Sequence, residues 1–426
     1  MKYLAILLII GQILMAAKIE TIEINGVKVP LIYEEDNRLP LVTTQLIFRN
    51  SGSITDVKKA GLAKFSAKVL NEGTKELGSN AFAEALESKA ISISTSTGSE
   101  TFVMNVSSLK DEYSNSLKYL DAILKDPNYS RESMSKIKTM TLGGLSRKEN
   151  DFDYIASNEL KRIMFNGTVL AQASSGTSES IKSITLRDVK KFIKEHLVLS
   201  RAIVVVGGDI SIDEVKKQMS SVLKELPLGE NEPLAHIKVN KKVTNSVLKK
   251  ETEQAYVYFG SPYNMKVDDE DYYKARVATF ILGTGGFGSR LMEEIRVKRG
   301  LAYSAYARVH VSNSSSYMSG YLQTKLDSMD EAKSTVSKVI NDFVKNGVTK
   351  EELEQTKKFL LGSEPLRVET MSQRLSRTFM EYYKGFPLGH STQELEKIKS
   401  LKVKDLNKFI KEHKEILDIS FAIVTK

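Results

Sequence analysis

IKSITLRDVKKFIKEH, residues 181–196, returns as IKSLKVKDLNKFIKEH at residues 398–413, identical at ten of sixteen positions and offset by 217. An apolar, β-branched stretch follows each copy, RAIVVVGGDI from Arg201 and DISFAIVTK from Asp418. A match that carries the next element along in the same order marks a duplication. Val189, Phe192 and Ile193 in the first copy, and Leu406, Phe409 and Ile410 in the second, fall at helical spacing and supply an apolar face. Each half of the chain is therefore expected to close with an amphipathic helix and a buried strand.

Reading backwards from those endings, the two halves show one coarse order. The first has an extended segment at 40–48, a helix around 61–70 and a strand pair ISISTST/FVMNVSSL turning at Gly98–Glu100. Asp126-Pro127 then interrupts a helical region, and more helix is expected from about 130 to 165. The second half repeats this with QAYVYFGSP (254–262), a helix around Tyr272–Leu282 and the strand pair AYSAYARVHV/SYMSGYLQT. Strands grouped together, and not alternating singly with helices, predict an α+β layer in each half. Pro227, Gly229 and Pro233 punctuate a polar join. The expected divisions are 18–226 and 245–426, with a linker at 227–244.

The 426 residues include no cysteine, no tryptophan and five histidines, with a formal charge of +9. Absent cysteine excludes disulfides, thiol catalysis and cysteine-based zinc or iron–sulfur sites. Acidic residues are interspersed with the basic ones and no arginine-rich arm occurs, so the charge reads as solvated surface and not as a nucleic-acid footprint. MKYLAILLIIGQILMAA (1–17) has the order of a cleavable secretory signal: a lysine, a short apolar core, then small residues. That run is shorter than the roughly 20 apolar residues of a membrane span, and no later segment approaches such a length. An exported, periplasmic protein without a stable membrane span is expected.

GLAKFSAKVLNEGT (61–74) resembles the insulinase/pitrilysin family of zinc peptidases, in particular the mitochondrial processing peptidase-like branch, whose pattern is GLAHxxEHMLFxGT. Gly61, Leu62, Ala63, Leu70, Gly73 and Thr74 match. The lead-in FRNSGS (48–53) and the VVGGDI ending also look like the family. The resemblance covers essentially the whole chain after the leader and implies two homologous halves of the processing-peptidase-like metallohydrolase fold. In the inverted zinc motif, two histidines four apart on one helical face bind zinc and the intervening glutamate is general base. Here those positions are Lys64, Lys68 and Ala67, and the family's further glutamate ligand falls near Gly144. The resemblance thus implies no metal and no cofactor on this chain, and no catalytic group of its own. His196 and His413 occupy equivalent repeat positions, which suggests a shared surface or packing role. His236, His310 and His390 are scattered.

ILGTGGFGSRLMEEIRVKRGLAYS (281–304) is similar to the family's second-half block, LGGGxxSRLFxxLREKRGLAYS. The resemblance makes Arg296 and Tyr303 a pair that contacts substrate and helps polarise the scissile carbonyl, hydrogen-bond chemistry open to a guanidinium and a phenol. From the residues alone, Arg296 could equally pair with Glu293 or Glu294, and Tyr303 could be an amphipathic strand residue. Gly283, Gly285, Gly286 and Gly288 lack the Gly-Lys-Ser/Thr ending of a phosphate-binding loop. By resemblance they would border a substrate chamber. In two-chain members one subunit carries the zinc motif and its partner the arginine/tyrosine pair. The expectation is therefore a non-catalytic subunit of an exported heterodimeric zinc peptidase, with zinc on a homologous partner and a peptide or unfolded polypeptide as substrate. A homodimer is what remains to the chain alone. The alternatives are a structural or peptide-holding scaffold of the same fold, or a zinc protease that uses other ligands.

Overall fold

The computed structural model describes residues 17–426. The leader expected at 1–17 lies, apart from Ala17, outside the described residues. In β5 (Thr101–Leu109, TFVMNVSSL) every second side chain, Phe102, Met104, Val106 and Ser108, is buried. In β10 (Ser316–Lys325) Met318, Gly320, Leu322 and Thr324 do the same. Strict alternation fits a strand with one face on a core.

The first sheet contains β1 (Lys18–Ile24), β2 (Val27–Glu35), β3 (Leu41–Arg49), β4 (Ser92–Thr97), β5 and β6 (Ala202–Gly208), in the order β1-β2-β6-β3-β5-β4. The second contains β7 (Asn245–Lys249), β8 (Gln254–Pro262), β9 (Ala302–Val311), β10 and β11 (Ser420–Thr425), in the order β7-β11-β8-β10-β9. Without β1 the two orders superimpose, and even the parallel pairs correspond, β2 with β6 and β7 with β11. The duplication read from one helix and strand extends through both sheets.

The helices of the first half are α1 (Leu62–Leu70), α2 (Gly78–Glu87), α3 (Tyr113–Lys125), α4 (Arg131–Lys148), α5 (Phe152–Met164), α6 (Ser178–Ser183), α7 (Leu186–His196) and α8 (Ile212–Leu223). The second half has α9 (Tyr272–Thr279), α10 (Met329–Asn346), α11 (Lys350–Gly362), α12 (Met371–Tyr383), α13 (His390–Ser400) and α14 (Val403–Glu412). The repeated helices are α7 and α14. His196 packs against Phe192 and His413 against Phe409, both with ring centroids 4.5 Å apart.

Two compact units emerge, and neither is contiguous in sequence. One comprises residues 17–145 with Ala173–Pro233 and Leu366–Tyr383; the other comprises Ser146–Gln172, Leu234–Pro365 and Lys384–Lys426. Thus α12, from the second half, belongs with the first sheet, and α5, from the first half, with the second sheet. Gly207 on β6 makes room for α12, since a Cβ there would stand 2.5 Å from Leu375 Cδ1. Gly260 on β8 does the same for α5, where a Cβ would lie 2.5 Å from the Met164 sulfur. Arg374 on α12 donates through Nε (2.9 Å) to the buried Glu34 carboxylate of β2. On α5, Asp153 accepts from Tyr258 (3.0 Å) and Gln323 (2.7 Å).

The helix expected over Tyr272–Leu282 keeps α-helical form only to Thr279. Phe280–Thr284 then forms a wider, π-helical turn, closed by Gly285 N–H donating to the Phe280 carbonyl at 2.9 Å. The extra residue in that turn sets Gly283 against the backbone of β9, where a Cβ would be 2.5 Å from Ala307 N. No helix among the described residues is long and apolar enough to cross a membrane.

Candidate functional site

The GLAKFSAKVLNEGT segment folds as α1 with its lead-in. Gly61 takes a left-handed φ of +87°, and a Cβ there would meet Gly176 N at 2.8 Å, so glycine is required on both counts. The Asp56 carboxylate accepts from the backbone N–H of Gly61 (3.1 Å) and Ala63 (2.9 Å), satisfying orphan donors at the helix start. Burial pushes this carboxyl up to about 7 despite those two hydrogen bonds.

Along α1, Phe65, Ala67 and Val69 are buried while Lys64 and Lys68, one turn apart, are half-buried on a common face. Phe65 and Val69 pack on Met134, Ile137 and Leu145 of α4. Lys68 Nζ donates to Thr141 Oγ1 on α4 at 3.0 Å, and Gly144 lies three residues beyond Thr141. The helices that would carry a zinc-ligand set are therefore apposed, but the side chains do not fit a cation. An ammonium has three donors and no lone pair, and alanine and glycine offer no donor atom.

The histidines form no alternative site. His196 Nδ1 lies 2.8 Å from an Arg201 nitrogen, and burial with that guanidinium holds it down at about 4. His310 stacks on Tyr317 at 4.5 Å and is likewise held at about 4, chiefly by burial and then by Arg308. His413 pairs with Glu415 (2.9 Å), His390 stacks on Phe386 (3.9 Å) and His236 contacts the Asn313 carbonyl (3.2 Å). Among the described residues, no cluster of three or more histidines and acids could hold a metal.

In the other unit, two irregularities bring Arg296 and Tyr303 together. Glu293–Val297 is a second π-helical turn, closed by Lys298 N–H on the Glu293 carbonyl at 3.0 Å, and it carries Arg296. Single π turns inside helices recur at functional positions. On β9, Ala302 pairs with Thr324 and Ala305 with Leu322, so one extra residue bulges at Tyr303–Ser304. The bulge re-aims Tyr303, which is 81% exposed. The Arg296 guanidinium carbon lies 4.2 Å from the Tyr303 ring centroid and 4.5 Å from that of Phe287.

Glu294 is taken by Lys298 (2.7 Å) and Arg299 (2.5 Å), and no carboxylate among the described residues pairs with Arg296. The ion-pair alternative for Arg296 is thus not the arrangement found. Cation–π contact uses the charge of the guanidinium and leaves its in-plane N–H donors to a ligand.

The four glycines divide. Gly283 and Gly285 are packing positions, the latter with a Cβ path 2.8 Å from the Phe280 carbonyl, whereas Gly286 (φ +60°) and Gly288 have open space around them. Phe287 stands between these two and is 63% exposed. It borders a cleft of about 560 Å³, walled also by Glu293, Glu294, Lys298, Lys338 and Asp342. Arg290 anchors the loop's end by a two-pronged bond to Glu352 (2.6 and 2.8 Å) and a third to the Gly347 carbonyl (2.7 Å). Sequence reading did not single out Phe287; an aromatic residue within a glycine run was the available signal.

Residues 32–179 match the model of the insulinase family, peptidase family M16, and residues 183–360 that of the peptidase M16 inactive domain. The chain is 44% identical over 427 residues to a Helicobacter pylori protein named non-peptidase homolog YmxG, covering 100% of this chain and 99% of that one. It is 24% identical to an uncharacterized zinc protease YmxG of Bacillus subtilis, over 83% of this chain and 85% of that one. Among solved structures, a peptidase M16 inactive domain from Pseudomonas fluorescens matches with a TM-score of 0.86 at 24% identity, over 96% of this chain and 98% of that one.

Proposed function

The chain belongs to the insulinase family, peptidase family M16, and from that premise we propose that it is a pseudo-peptidase subunit that works beside a zinc-bearing homologue. In this reading it supplies one wall of a peptide chamber and the substrate-binding groups Arg296 and Tyr303, while the partner supplies the metal. The observation that carries the reading is a split within one chain. The motif helix has lysine and alanine where ligands and base would stand, while Arg296 is held against two rings by a π-helical turn and a bulge with its donors uncommitted. An irregular helical turn and a bulge that hold a half-buried guanidinium with its donors open are hard to explain as packing alone.

Arg296 and the Tyr303 hydroxyl would donate hydrogen bonds to a peptide carbonyl and to the oxyanion that develops from it, a service that needs no metal on this chain. Gly286, Phe287 and Gly288 would border the bound segment. The order of residues 1–17, a lysine, a short apolar run and small residues, supports a location outside the cytoplasm. Co-expression with a homologue that retains the histidine motif tests the pairing. A stable complex holding one zinc per two chains is expected, and zinc retained by the separated chain would contradict it.

A further inference from the structure

We propose that the cationic cleft between the end of α5 and the segment leading into β7 is a docking site for the phosphate head groups of an anionic lipid surface. Two stretches without aspartate or glutamate meet there, 160–172 and 234–250, in a chain where about one residue in eight is acidic. The second stretch carries five lysines. Asn240 joins the two. Its backbone N–H donates to the Met164 carbonyl at 2.8 Å, and its side-chain amide donates to the carbonyls of Ile163 and Asn166, both at 3.4 Å. Beside this joint lies a cleft of about 460 Å³, lined also by Arg162, Lys241, Lys242 and Thr244.

Arg162 is fixed in place by its neighbours. Its Nε and one terminal nitrogen donate to the buried Glu159 carboxylate, both at 2.6 Å, and Ser246 of β7 donates to the same carboxylate. That fork uses one edge of the guanidinium and leaves the edge between the two terminal nitrogens for a phosphate. Lys241 and Lys242 are exposed, and among the described residues no carboxylate pairs with either or lines the cleft. Cations held together without a counter-charge repel one another, and an anionic ligand relieves that repulsion. Lysines on an edge strand also deter strand pairing, which accounts for Lys249 on β7. Lys241 and Lys242 precede that strand, however, and Arg162 belongs to a helix. The surface is also wider than a small anion needs. Val243, Val247 and Lys250 are exposed along the same segment, so apolar side chains are interspersed with cations. That mixture suits a layer of phosphate heads over hydrocarbon.

The inference does not rest on the partner-subunit reading, and its test uses the full chain alone. Flotation with vesicles of mixed phosphatidylglycerol and phosphatidylcholine is compared with flotation on phosphatidylcholine alone. The readout is the ratio of the two affinities, to which any apolar segment of the chain contributes equally. The wild type is expected to favour the anionic vesicles, with a preference that falls as salt rises. Lys241→Gln with Lys242→Gln should lower the ratio about 25-fold, since each cation near such a surface contributes a factor of about five. Lys58→Gln with Lys75→Gln removes the same charge from exposed positions elsewhere and should leave the ratio nearly unchanged. An equal loss in the two double variants, or no preference of the wild type for anionic vesicles, overturns the proposal. Glycerol phosphate titrated into the same proteins is the soluble arm. Should it bind in a manner that depends on Lys241 and Lys242 while the anionic vesicles do not retain the chain, the lipid assignment is overturned in favour of a soluble phosphate ester.

Discussion

Lys68 reaches Thr141 at 3.0 Å from a helix packed on α4, so the two helices are apposed and what is missing for a metal is the side-chain chemistry. Restoring Lys64→His, Ala67→Glu, Lys68→His and Gly144→Glu together is expected to yield a protein that retains about one zinc per chain, and Lys68→His alone one that retains none. Elemental analysis after gel filtration reads both outcomes. Arg296→Ala should leave the melting temperature within a degree or two while lowering cleavage by the complex roughly a hundredfold, the scale of a lost oxyanion donor. Titration makes two opposing demands on stability. His196, held down at about 4 against an ordinary 6.5, stabilises fully above 6.5, and that contribution is lost as pH falls through about 4. Asp56, pushed up from 3.8 to about 7, stabilises fully below 3.8 and loses that contribution as pH rises through about 7. Melting curves from pH 8 to 4 should therefore show a shallower acid loss for His196→Asn, and for Asp56→Asn a smaller loss as pH rises from 4 to 7.

At the scale of elements, α5 and α12 attach to the sheets through polar anchors that are buried or half-buried. Glu34 is 2% exposed and is held through the Arg374 guanidinium, with burial raising its carboxyl against the lowering effect of that partner. Arg374→Ala leaves the carboxylate uncompensated and is expected to cost about 3 kcal/mol or more in denaturant unfolding, and Glu34→Gln less. The elements themselves were largely legible. The two strand pairs read from the sequence fall at β4/β5 and β9/β10, the turn at Gly98–Glu100 separates β4 from β5, and the repeat named α7 and α14 with their phenylalanines. What the sequence did not disclose is which sheet α5 and α12 cover. Both are amphipathic, and an amphipathic face says that it will be buried but not on what. The π turn at Glu293–Val297 and the bulge at Tyr303 were hidden for a related reason. Each is set by how a segment meets β9 and β10, while the local pattern reads as plain helix and plain strand. The Arg296–Tyr303 pair could be named only through resemblance.

Across the whole molecule, duplication has been followed by divergence. Equivalent registers place Gln45, Asn105 and Ser94 across the first sheet where Tyr258, Tyr321 and Tyr306 stand across the second. The three tyrosine rings follow one another at 5.4 and 5.9 Å. One half has lost the chemistry of its motif helix, and the other keeps a displayed arginine and an aromatic sheet face. The proposed supporting role in proteolysis rests on that division. The most direct measurement is peptide cleavage by three samples at equal concentration: this chain, a zinc-motif homologue, and the two mixed. The account predicts that the mixture cleaves, that chelator abolishes its activity, that Arg296→Ala in this chain greatly reduces it, and that neither protein cleaves at a comparable rate alone. Chelator-sensitive cleavage by the isolated chain, or full activity of the homologue without it, would contradict the account.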